Sequence, residues 1–119
     1  MKKVGLLLLM LCLMAMPLAA NNAVLYDNAT RLASLLADTQ DKAMISTDSW
    51  KKIANEALTY TGRLYLNRTP KTDTDVKAAR KHCLEMHHAA LKGDADGARS
   101  HAAMALPYVY KVIDATAPK

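Results

Sequence analysis

Helical periodicity, broken only at short polar stretches, is the feature that most constrains the fold of this chain. Beyond residue 22, apolar side chains recur every three or four positions, and no alternating run of Val, Ile or Thr indicates a strand. Only four glycines and four prolines occur among the 119 residues. The sequence therefore predicts an all-α protein.

Three breaks divide the periodic region into four helices. The first break is the polar stretch 38–46, the second contains Pro70, and the third is Gly93-Asp94, which suits a left-handed helix end followed by a helix cap. Pro107 should kink the last helix or release the carbonyl of Ala103. Because the connections are short, we predict an antiparallel four-helix bundle. The first predicted helix runs from about Ala23 to Ala37, and the second runs to about Asn67 from a cap at Thr47 or Asp48. The third runs from Thr72 to about Lys92, and the fourth runs to about Ala115 from a cap at Asp94.

The apolar faces of the first two predicted helices follow from the spacing of their side chains. Residues three or four positions apart lie on one side of a helix, and a buried stripe of them indicates the core. The first helix would bury Leu25, Ala29, Leu32 and Leu36, and the second would bury Trp50, Ile53, Ala54, Ala57, Leu58, Leu64 and Tyr65.

The first 20 residues have the pattern of a bacterial export signal. Lys2 and Lys3 form a charged start, an apolar run follows to Met16, and small residues lead to a predicted cleavage after Ala20. We therefore expect residues 1–20 to be a signal peptide and residues 21–119 to be one domain. The product would be periplasmic or secreted, without a stable membrane anchor after cleavage.

Charge and cysteine content exclude some classes of protein. Loss of Lys2 and Lys3 lowers the net charge from +5 to +3, with 14 basic residues against 11 acidic ones. This scattered charge does not predict nucleic-acid binding. Cys12 belongs to the predicted signal, so Cys83 alone remains, and no intramolecular disulfide can form. No phosphate-binding loop or nucleophile elbow occurs, so we do not expect an enzyme.

The segment 80–88 is the only chemically dense part of the chain. It holds Cys83 and three of the four histidines, and the fourth, His101, lies on the next predicted helix. Helical angles place Cys83 and His87 on the inward face and His82 and His88 to either side of it. A turn at Gly93-Asp94 would bring Met86 or His87 opposite His101.

These positions predict a metal site formed by Cys83, His87 and His101, with Met86 or Met104 as a soft fourth ligand. Thiolate, imidazole and thioether suit copper(I), and one cysteine with two histidines would also suit zinc. In the alternative interpretation, Cys83 is a small core residue, His87 is a buried histidine with a hydrogen-bond partner, and His82 and His88 are solvated surface groups.

The stretch from His88 to Ala103 resembles the His/Ala-rich helical hairpins of small periplasmic metal-binding four-helix bundles. Those proteins bind divalent metals and copper through histidines on their helices. The resemblance implies that His87, His88 and His101 are metal ligands. The first two predicted helices contain no histidine, so the implied ligands are confined to the third and fourth.

A haem-binding bundle is a further alternative that we do not expect. Residues 83–87 look like the attachment motif of c-type haem with its second cysteine replaced by Met86. The replacement removes one of the two thioether links, and the chain contains no Phe to line a haem pocket.

Tyrosines on the second and fourth predicted helices raise a different possibility, a protein partner. Their rings are of the kind that favours interfaces, or they could close the core while the phenols reach water. The alternative to a small exported non-enzymatic metal-binding protein is therefore a metal-free periplasmic interaction module, such as an immunity, inhibitor or accessory protein, which could form a homodimer. The candidate surface comprises Tyr60, Tyr65, Tyr108 and Tyr110.

Overall fold

A computed structural model describes the backbone of residues 2–118 and the side chains of residues 21–118. Within the described backbone there are four helices and no strand. The prediction of an all-α four-helix bundle is confirmed. The helices are α1 (Lys2–Asp41), α2 (Thr47–Asn67), α3 (Asp73–Leu91) and α4 (Ala95–Thr116).

The four helices pack in a ring that follows chain order. Each helix packs against the next, and α4 closes the ring by packing along α1. The closest association is between α3 and α4, whereas the diagonal pair α2 and α4 touches only narrowly. Short connections between neighbours make the bundle antiparallel, and the apolar stripes meet along its centre.

The predicted apolar face of α1 is confirmed, but its predicted bounds of Ala23 and Ala37 are wrong, because the helix begins at Lys2 and ends at Asp41. Leu25, Ala29, Leu32 and Leu36 are all fully buried. The helix continues to Asp41 because the extra turn is anchored: buried Thr39 donates its hydroxyl to the Leu36 carbonyl, and its own carbonyl accepts a hydrogen bond from Arg99 on α4. The side chains of the predicted signal, residues 1–20, lie outside the described ones.

The start of α2 differs from the prediction by one residue. Ser46, rather than Thr47 or Asp48, is the N-cap, and its hydroxyl accepts a hydrogen bond from the Ser49 amide at 3.2 Å. Most of the predicted face is buried, although Ile53, Leu58 and Tyr65 are only half-buried. Thr61 completes the buried stripe because its hydroxyl bonds the Leu58 carbonyl at 3.1 Å.

The start of α3 has a different local structure from the one expected. Thr72 precedes the helix, but its side chain makes no capping hydrogen bond. Its hydroxyl instead accepts a hydrogen bond from the Thr69 amide at 2.9 Å and so closes the turn that contains Pro70. Asp73 and Asp75 lie in the first turn, where their charge favours the positive end of the helix dipole.

The turn between α3 and α4 agrees with the sequence interpretation. Gly93 has φ +76°, the left-handed conformation that favours glycine, and the Asp94 carboxylate accepts a hydrogen bond from the Gly97 amide at 2.9 Å. The helix α4 runs through Pro107 to Thr116 without a break. This turn fixes the register in which α3 and α4 face each other.

Across residues 21–118, no helix carries an apolar stretch long enough to cross a bilayer.

Candidate metal centre

Cys83 and Met86 lie on the face of α3 that packs into the core of the bundle. Both side chains are fully buried, as are Val76, Ala79 and Ala90 on the same face. Burial raises the pKa of the Cys83 thiol to about 12 because the charged thiolate would lose its hydration. In the metal-free protein the thiol is therefore protonated at neutral pH, and a metal ion would have to enter the core and displace this proton to bind the sulfur.

A cluster of three possible ligands lies beside this core face, between α3 and α4. It consists of His82, Glu85 and His101, whose ligand atoms all lie within 4.8 Å of one another. Glu85 Oε2 is 2.9 Å from His101 Nδ1 and 3.8 Å from His82 Nδ1. Among residues 21–118, it is the one group of three or more His, Cys, Asp or Glu side chains close enough together to hold a metal ion.

Helix geometry explains why these three side chains meet. His82 and Glu85 are three residues apart, so they share one side of α3. His101 reaches them from α4 because the Gly93 turn brings the two helices into antiparallel contact. The residue that meets His101 is Glu85, one position before the pair that the sequence placed opposite it.

Two ring nitrogens of the cluster are buried without a hydrogen bond. His82 Nδ1 and His101 Nδ1 are shielded from solvent, and the Trp50 indole nitrogen is the third such atom among the described side chains. The 2.9 Å approach of Glu85 to His101 has the length of a hydrogen bond, but the ring N–H direction does not point at the oxygen. Both imidazoles therefore retain unused bonding capacity next to a carboxylate.

Aromatic stacking holds the His82 ring in place. The ring stacks on His101 at 6.1 Å between centroids and on Tyr108 at 5.8 Å, with interplanar angles of 26° and 16°. Tyr108 is itself packed against the core, and the Lys111 ammonium lies 5.5 Å from its ring centroid. The stack limits the directions in which the His82 nitrogens can point.

The cluster has the chemistry of a site for a borderline metal ion. Two imidazole nitrogens with one carboxylate oxygen suit Zn²⁺ or Cu²⁺, whereas copper(I) prefers sulfur ligands. The side chains of His82, Glu85 and His101 are 18%, 38% and 28% exposed, so the site lies at the edge of the core rather than inside it.

The other predicted histidine and cysteine ligands do not belong to this cluster. The His87 and His88 rings face each other edge-on at 6.3 Å, with His87 half-buried and His88 exposed. Met86 is a core residue, and Met104 on α4 is 43% exposed. Among the described residues, His101 is the only predicted histidine or cysteine ligand that belongs to the cluster.

Three of the four predicted interface tyrosines pack against the core. Tyr60 donates its hydroxyl to Glu56 at 3.2 Å, and the Tyr65 ring lies under the guanidinium groups of Arg68 and Arg80 at 3.9 and 4.4 Å. Tyr108 stacks on His82. Tyr110 is 47% exposed.

His82 and Glu85 were not among the predicted ligands. The predicted ligands on α3 lie near the centre of its inward face or are soft donors, whereas the cluster forms on the flank where α3 meets α4 and includes a carboxylate. A His-x-x-Glu spacing on one helix, with a histidine across the turn, was the available signal.

Comparison of the chain with family models, curated proteins and solved structures gave no match.

Proposed function

We propose that this protein is a small exported, non-enzymatic binding protein that holds one Zn²⁺ or Cu²⁺ ion between α3 and α4. The proposed ligands are His82, Glu85 and His101. The observation that carries the proposal is the pair of buried Nδ1 atoms, on His82 and His101, that have no hydrogen-bond partner and flank one carboxylate oxygen.

The energetics of burial support a ligand at this position. A buried polar atom left without a partner destabilises a protein by about 1–3 kcal/mol. Two such nitrogens beside a carboxylate are the arrangement that a divalent cation would stabilise, because the ion accepts both lone pairs and the Glu85 charge offsets part of its own. Tyr108 would contribute by fixing the orientation of the His82 ring.

A metal-free explanation makes a different use of the same residues. If the His101 ring is protonated, it forms an ion pair with Glu85 across the 2.9 Å contact and ties α3 to α4. The protein would then be an interaction module in which the cluster has a structural role. The two explanations differ in whether a metal ion binds when it is offered.

Other features support the two remaining parts of the proposal, that the protein is exported and that it is not an enzyme. The pattern of residues 1–20 supports export. Cys83 is the residue that could have acted as a nucleophile, and its thiol is fully buried with its pKa raised to about 12. A protonated, inaccessible thiol does not attack a substrate.

Native mass spectrometry of the untagged protein, titrated with Zn²⁺ and then with Cu²⁺, tests the proposal. We expect one tightly bound ion per chain, lost in His82→Ala and His101→Ala. The matched control is His88→Ala, because His88 is an exposed histidine on α3 outside the cluster. A mass that stays bare throughout the titration would overturn metal binding and favour the interaction module.

A further inference from the structure

The proposed ligand set contains one donor fewer than the metal requires. Zn²⁺ in proteins takes four ligands, and Cu²⁺ prefers four in a tetragonal arrangement. Only His82, Glu85 and His101 come together, and no fourth His, Cys, Asp or Glu among residues 21–118 joins them. Three protein ligands leave a coordination position for a molecule that is not part of the chain.

The two sulfur-bearing neighbours do not complete the ligand set. Cys83 is adjacent to His82 in sequence but faces the core, where its side chain is fully buried. Met86, next to Glu85, is equally buried in the core. Met104 follows His101 by one turn of α4 and is 43% exposed, so a test must examine it separately.

The side chains of the cluster differ in their exposure to solvent. The His82 ring stacks on Tyr108, and the Nδ1 atoms of both imidazoles are buried. Glu85 has the most exposed side chain of the three, at 38%, followed by His101 at 28%. A small molecule would therefore reach a bound ion from the side of the Glu85 carboxylate.

We propose that the bound ion keeps one coordination position for an external monodentate anion, with water there when no anion is present. The inference rests on the proposed function, since it concerns the same ion. The exchange is a ligand substitution: a lone pair of the anion forms a bond to the metal as the water leaves, and no oxidation state changes.

Cobalt(II) and azide are suitable probes of this position. Cobalt(II) replaces zinc with similar ligands, and its visible absorption reports its coordination sphere. We expect azide to shift the visible bands of the cobalt-loaded protein, with saturation at one azide per cobalt. A spectrum that does not respond to azide while cobalt is bound would overturn the open position and leave the proposed function standing.

Failure of the proposed function would give a different experimental result from failure of the open position. If cobalt(II), Zn²⁺ and Cu²⁺ all fail to bind, the metal site itself is wrong, and the inference falls with it. Azide added to the metal-free protein is the blank for the titration.

A variant of Met104 decides whether its thioether occupies the position. We expect Met104→Leu to bind azide as tightly as the unchanged protein, because the position is open in both. If azide binds only after Met104→Leu, the thioether is the fourth ligand and the proposal is overturned. Circular dichroism checks that the variant folds, and its exposed location makes unfolding an unexpected outcome.

Discussion

Glu85 on α3 and His101 on α4 approach to 2.9 Å, and this contact joins the two most closely packed helices of the bundle at the candidate metal centre. The carboxylate also lies 3.8 Å from His82, so one side chain is shared between two imidazoles. The contact places a negative charge where a divalent cation would be held.

Replacement of Glu85 by Gln should weaken zinc binding at least about tenfold, which corresponds to about 1.4 kcal/mol. The side chain keeps its shape but loses the charge that balances the ion. Competition with a chromophoric chelator measures the affinity. Glu56→Gln is the matched control, because Glu56 is the only other glutamate and lies on α2 beside Tyr60. Equal losses in both variants would contradict a specific role for Glu85.

Cys83 should be unreactive in the folded protein at neutral pH. Its side chain is fully buried, so a reagent cannot reach the sulfur. Burial also raises the pKa of its thiol to about 12, so the reactive thiolate does not form at neutral pH. A chromogenic disulfide reagent should label it only after unfolding in urea, and the addition of Zn²⁺ should not change the native result. Rapid labelling of the native protein would show that the thiol is accessible.

The same burial predicts how stability depends on alkaline pH. The pKa of Cys83 is raised in the folded state, so above about pH 8.5 the unfolded chain loses a proton that the folded chain keeps. The contribution to stability is complete below that pH and declines as the pH rises toward 12. Urea unfolding of Cys83→Ala should show a weaker decline over the same range. An unchanged decline would contradict this assignment.

Asp73 should contribute to stability under neutral but not acidic conditions. Hydrogen bonding to Lys77, and secondarily to Arg68, lowers the pKa of its carboxyl, and the two contacts measure 3.1 and 2.8 Å. Because the folded pKa is lowered, this contribution is present above about pH 4 and is lost as the pH falls through the folded value. Asp73→Asn should remove it. Asp75→Asn, in the same helical turn, is the control, and an equal effect there would point to the helix dipole alone.

Two glycine substitutions should change the stability of the bundle in opposite directions. Gly93→Ala should destabilise the bundle by about 1 kcal/mol because φ is +76° there, whereas Gly62→Ala in α2 should stabilise it by about 0.5–1 kcal/mol. A methyl group at Gly62 would meet no atom within 4 Å. Thermal unfolding compares the two variants. A stabilising Gly93→Ala would contradict the left-handed turn.

Sequence periodicity was sufficient for the architecture but not for the site. The spacing of Leu25, Ala29, Leu32 and Leu36 identified the buried face of α1, because burial of an apolar stripe is a local property of the helix. The end of α1 was missed because the hydrogen bond from Arg99 to Thr39 spans 60 residues of sequence. Such a contact depends on how α1 and α4 pack, and no local pattern encodes it.

The candidate site was predicted in part for the same reason. The Gly93-Asp94 turn gave the register of α3 and α4 to within one residue, and His101 was identified as facing α3. Which of its neighbours met it depended on the rotation of α3 about its own axis. That rotation takes Cys83 into the core and leaves His82 and Glu85 at the α3–α4 boundary.

X-ray absorption at the zinc edge of the zinc-loaded protein tests the central claim most directly, because it identifies the atoms bound to the ion. We predict only nitrogen and oxygen neighbours at about 2.0–2.1 Å, with the scattering pattern of two imidazoles. His88→Ala should leave the spectrum unchanged. A sulfur neighbour at about 2.3 Å would contradict the account and return Cys83 to the ligand set.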